Sequence, residues 1–191
     1  MTPRIVLMGG QGYPLTETPQ GLPALKARLV AHGVEVLLVS HADRQPVRDW
    51  LYGHPGFRGL IGDSLGAGAA AIYPGDLDGE VDFVGGFQPS AWDPVGKGPL
   101  TDRVIMVAHN VKVAHCIWNP VWIETGGLGS AHYVIALDSK TQLTTTEHHG
   151  FHPDDWGYSQ DLMFTHVMSL IGGSGKMSWM RRIINAMGWS T

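Results

Sequence analysis

The sequence predicts an α/β three-layer sandwich, with a mostly parallel central sheet flanked by helices. Two observations carry this expectation. Ile5-Val6-Leu7-Met8 and Val34-Glu35-Val36-Leu37-Leu38-Val39 are largely apolar runs of strand length, and between them Leu22, Leu25, Leu29 and Val30 recur at helical spacing. Strand, helix, strand is the order of a parallel βαβ unit. Runs that are continuously apolar, rather than alternating, belong to strands covered on both faces.

The elements follow in order. The first strand closes at Gly9-Gly10, and a loop rich in Pro, Thr and Gly leads to the first helix. Gly33 stands where a helix C-terminus favours a left-handed residue. The second strand covers 34–39. Residues 46–52 read as a short helix, with Pro46 near its first turn. Phe57 to Gly62 is a third strand running into Asp63-Ser64, and the small, alanine-rich stretch Leu65 to Ile72 suits a helix packed close to a sheet. Val81 to Phe87 is a fourth strand. Pro89, Pro94 and Pro99 make 88–102 a loop. Val104–Val107 and Val111–Trp118 are apolar and β-rich, and at least one of them is a strand. Tyr133–Leu137 and Leu143–Glu147 read either as a hairpin or as the last sheet strand with its approach. A helix over Ser159–Ile171 carries the stripe Leu162, Met163, His166, Val167, Leu170 and Ile171. The tail 172–191 holds Met177, Trp179, Met180, Ile183 and Ile184 and reads as a docking helix, against the body or in a homodimer. No repeat or linker divides residues 1–191, so a single domain is expected.

Composition narrows the classes. In a chain of 191 residues, 43% are hydrophobic and 16% charged, which supplies a core and argues against disorder. The net charge of −4 gives no basic footprint for nucleic acid. The single cysteine, Cys116, excludes an intrachain disulfide, and its apolar neighbours mark it as a buried, inert thiol rather than a nucleophile. No segment is long and apolar enough to span a membrane. Met1-Thr2-Pro3-Arg4 leads straight into a short strand without the apolar stretch of a signal peptide. A cytoplasmic location is the expectation, with a removed leader as the alternative.

Chemistry concentrates at Leu60-Ile61-Gly62-Asp63-Ser64-Leu65-Gly66-Ala67-Gly68. Here Gly62-x-Ser64-x-Gly66 falls between an expected strand and an expected helix. A serine on a sharp strand-to-helix turn is forced into strained backbone angles that expose its hydroxyl, and glycines two residues away on each side let the backbone close up around it. The following helix directs its first N–H groups at developing negative charge. A bare glycine-rich turn with a capping serine is the competing reading.

These residues, with the order of elements around them, resemble the α/β-hydrolase superfamily, and in scale the minimal cutinase- and lipase-like serine esterases without a large cap domain. The resemblance implies that Ser64 is the nucleophile of a carboxylic ester hydrolase and that the Leu65 N–H is one oxyanion donor. The loop after the first strand, Gly9-Gly10-Gln11-Gly12, would supply the second donor, from Gln11 or Gly10. The base would come late in the chain, from Glu147-His148-His149-Gly150-Phe151-His152-Pro153. His152, seven residues before Ser159, is placed first, and His149, in a His-Gly-Phe turn, second. The resemblance also asks for an acid after Val111–Trp118, where Asn119-Pro120 stands. Glu124 is the nearest carboxylate there, and Asn119, Asp138, Asp82 and Asp93 stay open. Asp63, adjacent to Ser64, is read as support for the turn.

No metal and no organic cofactor are implied, and the expected partner is a small-molecule or polymeric ester. Trp92, Trp118, Trp122 and Trp156 suggest an apolar cleft beside the site. Two rival readings are a non-catalytic binding protein of the same fold, suggested by the missing acid, and a metal-dependent hydrolase using His148, His149 and His152.

Overall fold

A computed structural model of the chain describes residues 1–10, 13, 20–90, 104–118, 133–147 and 157–172. The first strand, β1 (Arg4–Gly9), leads to helix α1 (Leu22–Ala31) and then to β2 (Glu35–Ser40), α2 (Arg44–Leu51) and β3 (Arg58–Asp63). Helix α3 (Leu65–Ile72) follows, with a single 3₁₀ turn (Tyr73–Asp76), then β4 (Val81–Phe87), β5 (Val104–Val107) and β6 (Val111–Trp118). The chain continues through β7 (Tyr133–Ala136), β8 (Gln142–Glu147) and α4 (Gly157–Ile171).

Six strands form the central sheet in the order β2-β1-β3-β4-β6-β8, and every pairing between them is parallel. From β1 the chain steps outward to β2, then returns across β1 to β3. Right-handed crossovers require the connecting helix to change face when the direction of travel reverses. The two cores agree with this rule. Leu22, Leu25 and Leu29 of α1 pack with Met163 and Val167 of α4 on one face, over Ile5, Leu7, Ile61, Phe83 and Phe87. Val47 and Leu51 of α2 pack with Ala70 and Ala71 of α3 on the other face, over Val6, Met8, Leu60 and Val84. The three layers expected from the sequence are therefore present. Each fully buried large side chain, Phe83 and Ile5 among them, contributes about 1.5–3 kcal/mol of transfer free energy.

The structure decides two points that the sequence leaves open, and in both the expectation of a sheet strand holds. Residues 133–136 and 142–147 do not form a hairpin: β7 pairs in parallel with β5 in a separate two-stranded sheet, whereas β8 is the edge strand of the central sheet beside β6. Both 104–107 and 111–118 are strands. The small sheet covers the α3 side of the body through Ile105 and Val107. It thus occupies the layer that a crossover helix fills elsewhere. The bond from the Ala108 N–H to Ala71 O (2.9 Å) ties it to α3, and the Leu137 N–H to Val107 O bond (3.1 Å) extends the pairing of its two strands.

Other local expectations that fall on described residues agree with the structure, whereas the loop read over 88–102 lies outside the described residues from 91 onward. Gly33 ends α1 with φ +79°. The start of α4 is tied to the start of α1, because the buried Gln160 amide donates to the Gln20 and Gly21 carbonyls. Cys116 is buried, which pushes its thiol up to about 12 and keeps it from forming a thiolate. Among the described residues no helix is long and apolar enough to cross a membrane. The tail 173–191, read as a docking helix, lies outside the described residues.

Candidate active site

All strands of the central sheet run the same way, so their carboxyl ends share one edge. The register sets Asp63 beside Phe87, Phe87 beside Ile117, and Trp118 beside Glu147. In open α/β sheets, ligands bind outside this edge at the point where the chain reverses direction. That point lies between β1 and β3. Ser64 follows β3 there and Gly10 follows β1.

Ser64 is the cap residue of α3 and holds φ 53°, ψ −119°. A non-glycine residue at positive φ costs about 1–3 kcal/mol and persists only where its surroundings enforce it. The enforcement is visible. A Cβ on Gly62 would lie 2.1 Å from the Gly66 carbonyl carbon and oxygen, and one on Gly66 would lie 1.9 Å from the Met8 carbonyl oxygen. Only glycines let α3 enter this close beneath β1 and β3. A Cβ on Gly10 would sit 3.0 Å from Ser64 Cβ and 3.5 Å from Ser64 Oγ, so the backbone leaving β1 passes directly over the serine.

Hydrogen bonds hold the turn from three sides. The Ser64 N–H donates to Phe87 O (2.9 Å), and the Ser90 N–H donates to Ser64 O (3.0 Å). The same Ser64 carbonyl accepts from the Ala67 and Gly68 N–H groups at 3.1 and 3.3 Å. Gln88, the other non-glycine residue at positive φ (43°) among the described residues, turns the chain between these contacts, and its N–H donates to Ile117 O (2.8 Å). On the β2 side, the His41 N–H donates to Gly9 O (3.0 Å), while its Nδ1 lies 3.3 Å from Gly10 O. The serine hydroxyl itself is half-buried and lies 3.5 Å from the hydroxyl of Ser90.

The sequence-derived candidates divide into three groups. Ser64, Leu65 and Gly10 come together at the switch point, with Leu65 as the first residue of α3. Gln11, Asp93, Asn119, Glu124, His148, His149 and His152 lie outside the described residues, as do Trp92, Trp122 and Trp156. Asp82 and Asp138 are described and lie at the wrong end of the sheet. Asp82 sits at the start of β4, five residues before Phe87 (82 to 87), roughly 17 Å of extended strand from the turn. It accepts from the Arg58 N–H and from Lys112 Nζ, both at 2.9 Å. Asp138 lines a cavity of about 650 Å³ with Gly79, Asn110 and Lys112, all at amino ends of strands. Neither carboxylate reaches Ser64.

Sequence reasoning missed two features. One is Ser90. The other is a pair of imidazoles in the α4 interface: His115 Nδ1 lies 2.9 Å from His166 Nδ1, and His115 Nε2 lies 2.9 Å from Thr146 Oγ1. His166 also presents its ring edgewise to Phe83. Burial, reinforced by the neighbouring His166, lowers the His115 pKa to about 4, and burial lowers that of His166 as well. Both rings are therefore neutral near pH 7, each an imidazole serving the packing of α4. No group of three or more His, Cys, Asp or Glu side chains able to hold a metal ion occurs among the described residues.

The chain matches no protein-family model, and no curated protein is similar to it at a significant level.

Proposed function

We propose that this protein is a serine hydrolase that cleaves carboxylic esters through an acyl-enzyme on Ser64. The observation that carries the reading is the backbone of Ser64, held at φ 53° between β3 and α3 by glycines that admit no side chain. Strain that the surroundings work to maintain, at the ligand-binding edge of an α/β sheet, is the signature of a displayed nucleophile.

In this reading Ser64 Oγ attacks the ester carbonyl carbon, and its proton passes to a histidine of the loop between β8 and α4, His152 or His149. The negative charge that develops on the carbonyl oxygen is met by the Leu65 N–H and by the N–H of Gln11. The tetrahedral intermediate collapses, the alcohol leaves with the proton held by the histidine, and Ser64 is acylated. Water then attacks the acyl group, gives up its proton to the same histidine, and releases the acid and free Ser64. Two features support this assignment of the loops. Strand β8 ends at Glu147 on the same edge as Ser64, and α4 begins at Gly157, so the histidine loop spans the interval between edge strand and final helix. Strand β6 ends at Trp118 on that edge too, which favours Glu124 or Asn119 as the group orienting the imidazole over Asp82 and Asp138.

The expected substrate is a small-molecule or polymeric ester. Turnover of p-nitrophenyl esters of graded chain length, by wild type and by Ser64→Ala, tests the reading. Hydrolysis by wild type with a loss of at least about 10³-fold in kcat for Ser64→Ala supports it. Equal rates for the two proteins would contradict it.

A further inference from the structure

The exit of β4 does more than close the sheet. Gln88 at φ 43° bends the chain back, and Ser90 arrives over the elbow with its N–H bonded to Ser64 O (3.0 Å). Its side chain is buried, 5% exposed, and the group its hydroxyl meets among the described residues is the hydroxyl of Ser64, at 3.5 Å. A buried hydroxyl costs free energy unless it is hydrogen-bonded, and an alanine would fill this place without that cost. The backbone bond to Ser64 O needs no side chain at all. The Ser90 hydroxyl therefore has a use beyond packing, and its neighbour identifies that use.

We propose that Ser90 is a positioning residue for the nucleophile: its O–H donates to Ser64 Oγ, and the contact shortens as charge builds there. A hydroxyl has one proton and two lone pairs. With one lone pair of Ser64 Oγ engaged by Ser90, the Ser64 proton is left for the base and the second lone pair is left to attack. The same bond strengthens as Ser64 Oγ gains negative character, because hydrogen bonds to charged acceptors are shorter and stronger than neutral ones. The separation of 3.5 Å is that of a resting site, where catalytic hydrogen bonds are commonly long. No proton is transferred to or from Ser90, and the acyl group stays on Ser64 throughout.

This inference rests on Ser64 being the nucleophile, and the test separates the two claims. The second-order rate of fluorophosphonate labelling is measured by intact mass for wild type, Ser90→Ala and Ser90→Thr, with peptide mapping of the adduct and a thermal melt of each protein. The expected result is an adduct on Ser64 in wild type and labelling about tenfold slower in Ser90→Ala. Ser90→Thr restores the rate, the melting temperature is essentially unchanged, and kcat on a p-nitrophenyl ester falls with KM unaltered. Wild-type labelling with an equally fast Ser90→Ala would overturn the role of Ser90 and leave the hydrolase reading intact. A slow Ser90→Ala that also melts early and is not rescued by threonine would make Ser90 structural, again against the proposal. No wild-type adduct, or an adduct on Ser90, would overturn both claims.

Discussion

At the amino edge of the central sheet, Arg4, Arg58 and Lys112 each meet a carboxylate: Glu35 at 2.8 Å, Asp78 at 2.9 Å, and Asp82 at 2.9 Å, respectively. At the carboxyl edge the hydroxyl of Ser64 lies, among the described residues, beside another hydroxyl, that of Ser90, and is held there by a strained backbone. The amino edge has a sizeable cavity and most of the charged side chains of the sheet, yet Arg4, Arg58 and Lys112 are committed to carboxylates. Arg58, nearly buried, also donates to the Leu51 and Glu80 carbonyls, and among the described residues the buried side-chain acceptor without a partner there is Asn110 Oδ1. The comparison teaches that a cavity and a set of charges do not identify a site. The proposal for Ser64 rests instead on strain maintained by close packing beside a hydroxyl at the carboxyl edge.

The largest effect expected from breaking this contrast is that of Gly66→Ala. The new methyl would meet the Met8 carbonyl oxygen at 1.9 Å, where only backbone can move. A loss of about 3 kcal/mol in urea denaturation is expected, with reactivity at Ser64 abolished. A stable, reactive Gly66→Ala would show that the elbow is looser than drawn. At the other edge, Arg58→Met removes a nearly buried guanidinium from two carbonyls and one carboxylate, for about 2–3 kcal/mol of stability. Fluorophosphonate labelling of Ser64 is expected to stay at the wild-type rate, since nothing of the amino edge reaches the serine. A parallel loss of labelling would erase the distinction between the edges.

The imidazole pair sharpens the picture from a third position. Both His115 and His166 have folded pKa values below the ordinary 6.5. The unfolded chain therefore binds more protons as the pH falls below about 6.5, and stability falls with it. The loss runs down to about pH 4, where His115 titrates in the folded state, at up to about 1.4 kcal/mol per pH unit for that residue. Chemical denaturation between pH 7 and 4 should follow this slope, and the double substitution His115→Leu/His166→Phe should flatten it. An unchanged slope in the double variant would remove the pair from the acid sensitivity of the fold.

Most of the fold was legible because its signals are local. The apolar runs of β1, β3 and β4, the leucine spacing of α1 and the alanines of α3 each stand within one element. The elbow was legible for the same reason, since Gly62, Ser64 and Gly66 are neighbours in sequence. What could not be read depends on register and topology. Ser90 is 26 residues from Ser64, and His115 is 51 from His166. No periodicity connects either pair. The separate β5–β7 sheet rests on a parallel pairing across 29 positions (104 to 133), and sequence proximity, which left 133–137 and 143–147 as a hairpin or a last strand with its approach, gives no sign of it. Asp82 and Asp138 entered as acids on chain order alone; Asp82 falls at the start of β4, and Asp138 lines the cavity at the amino edge, so both lie away from Ser64.

The central claim is that Ser64 is an activated nucleophile, and the most direct measurement is the intact mass of the protein after exposure to a fluorophosphonate, for wild type beside Ser64→Ala. One adduct is expected on wild type and none on the alanine variant, with both proteins folded. A folded wild type that gains no mass, or an alanine variant that gains the same mass, would contradict the claim.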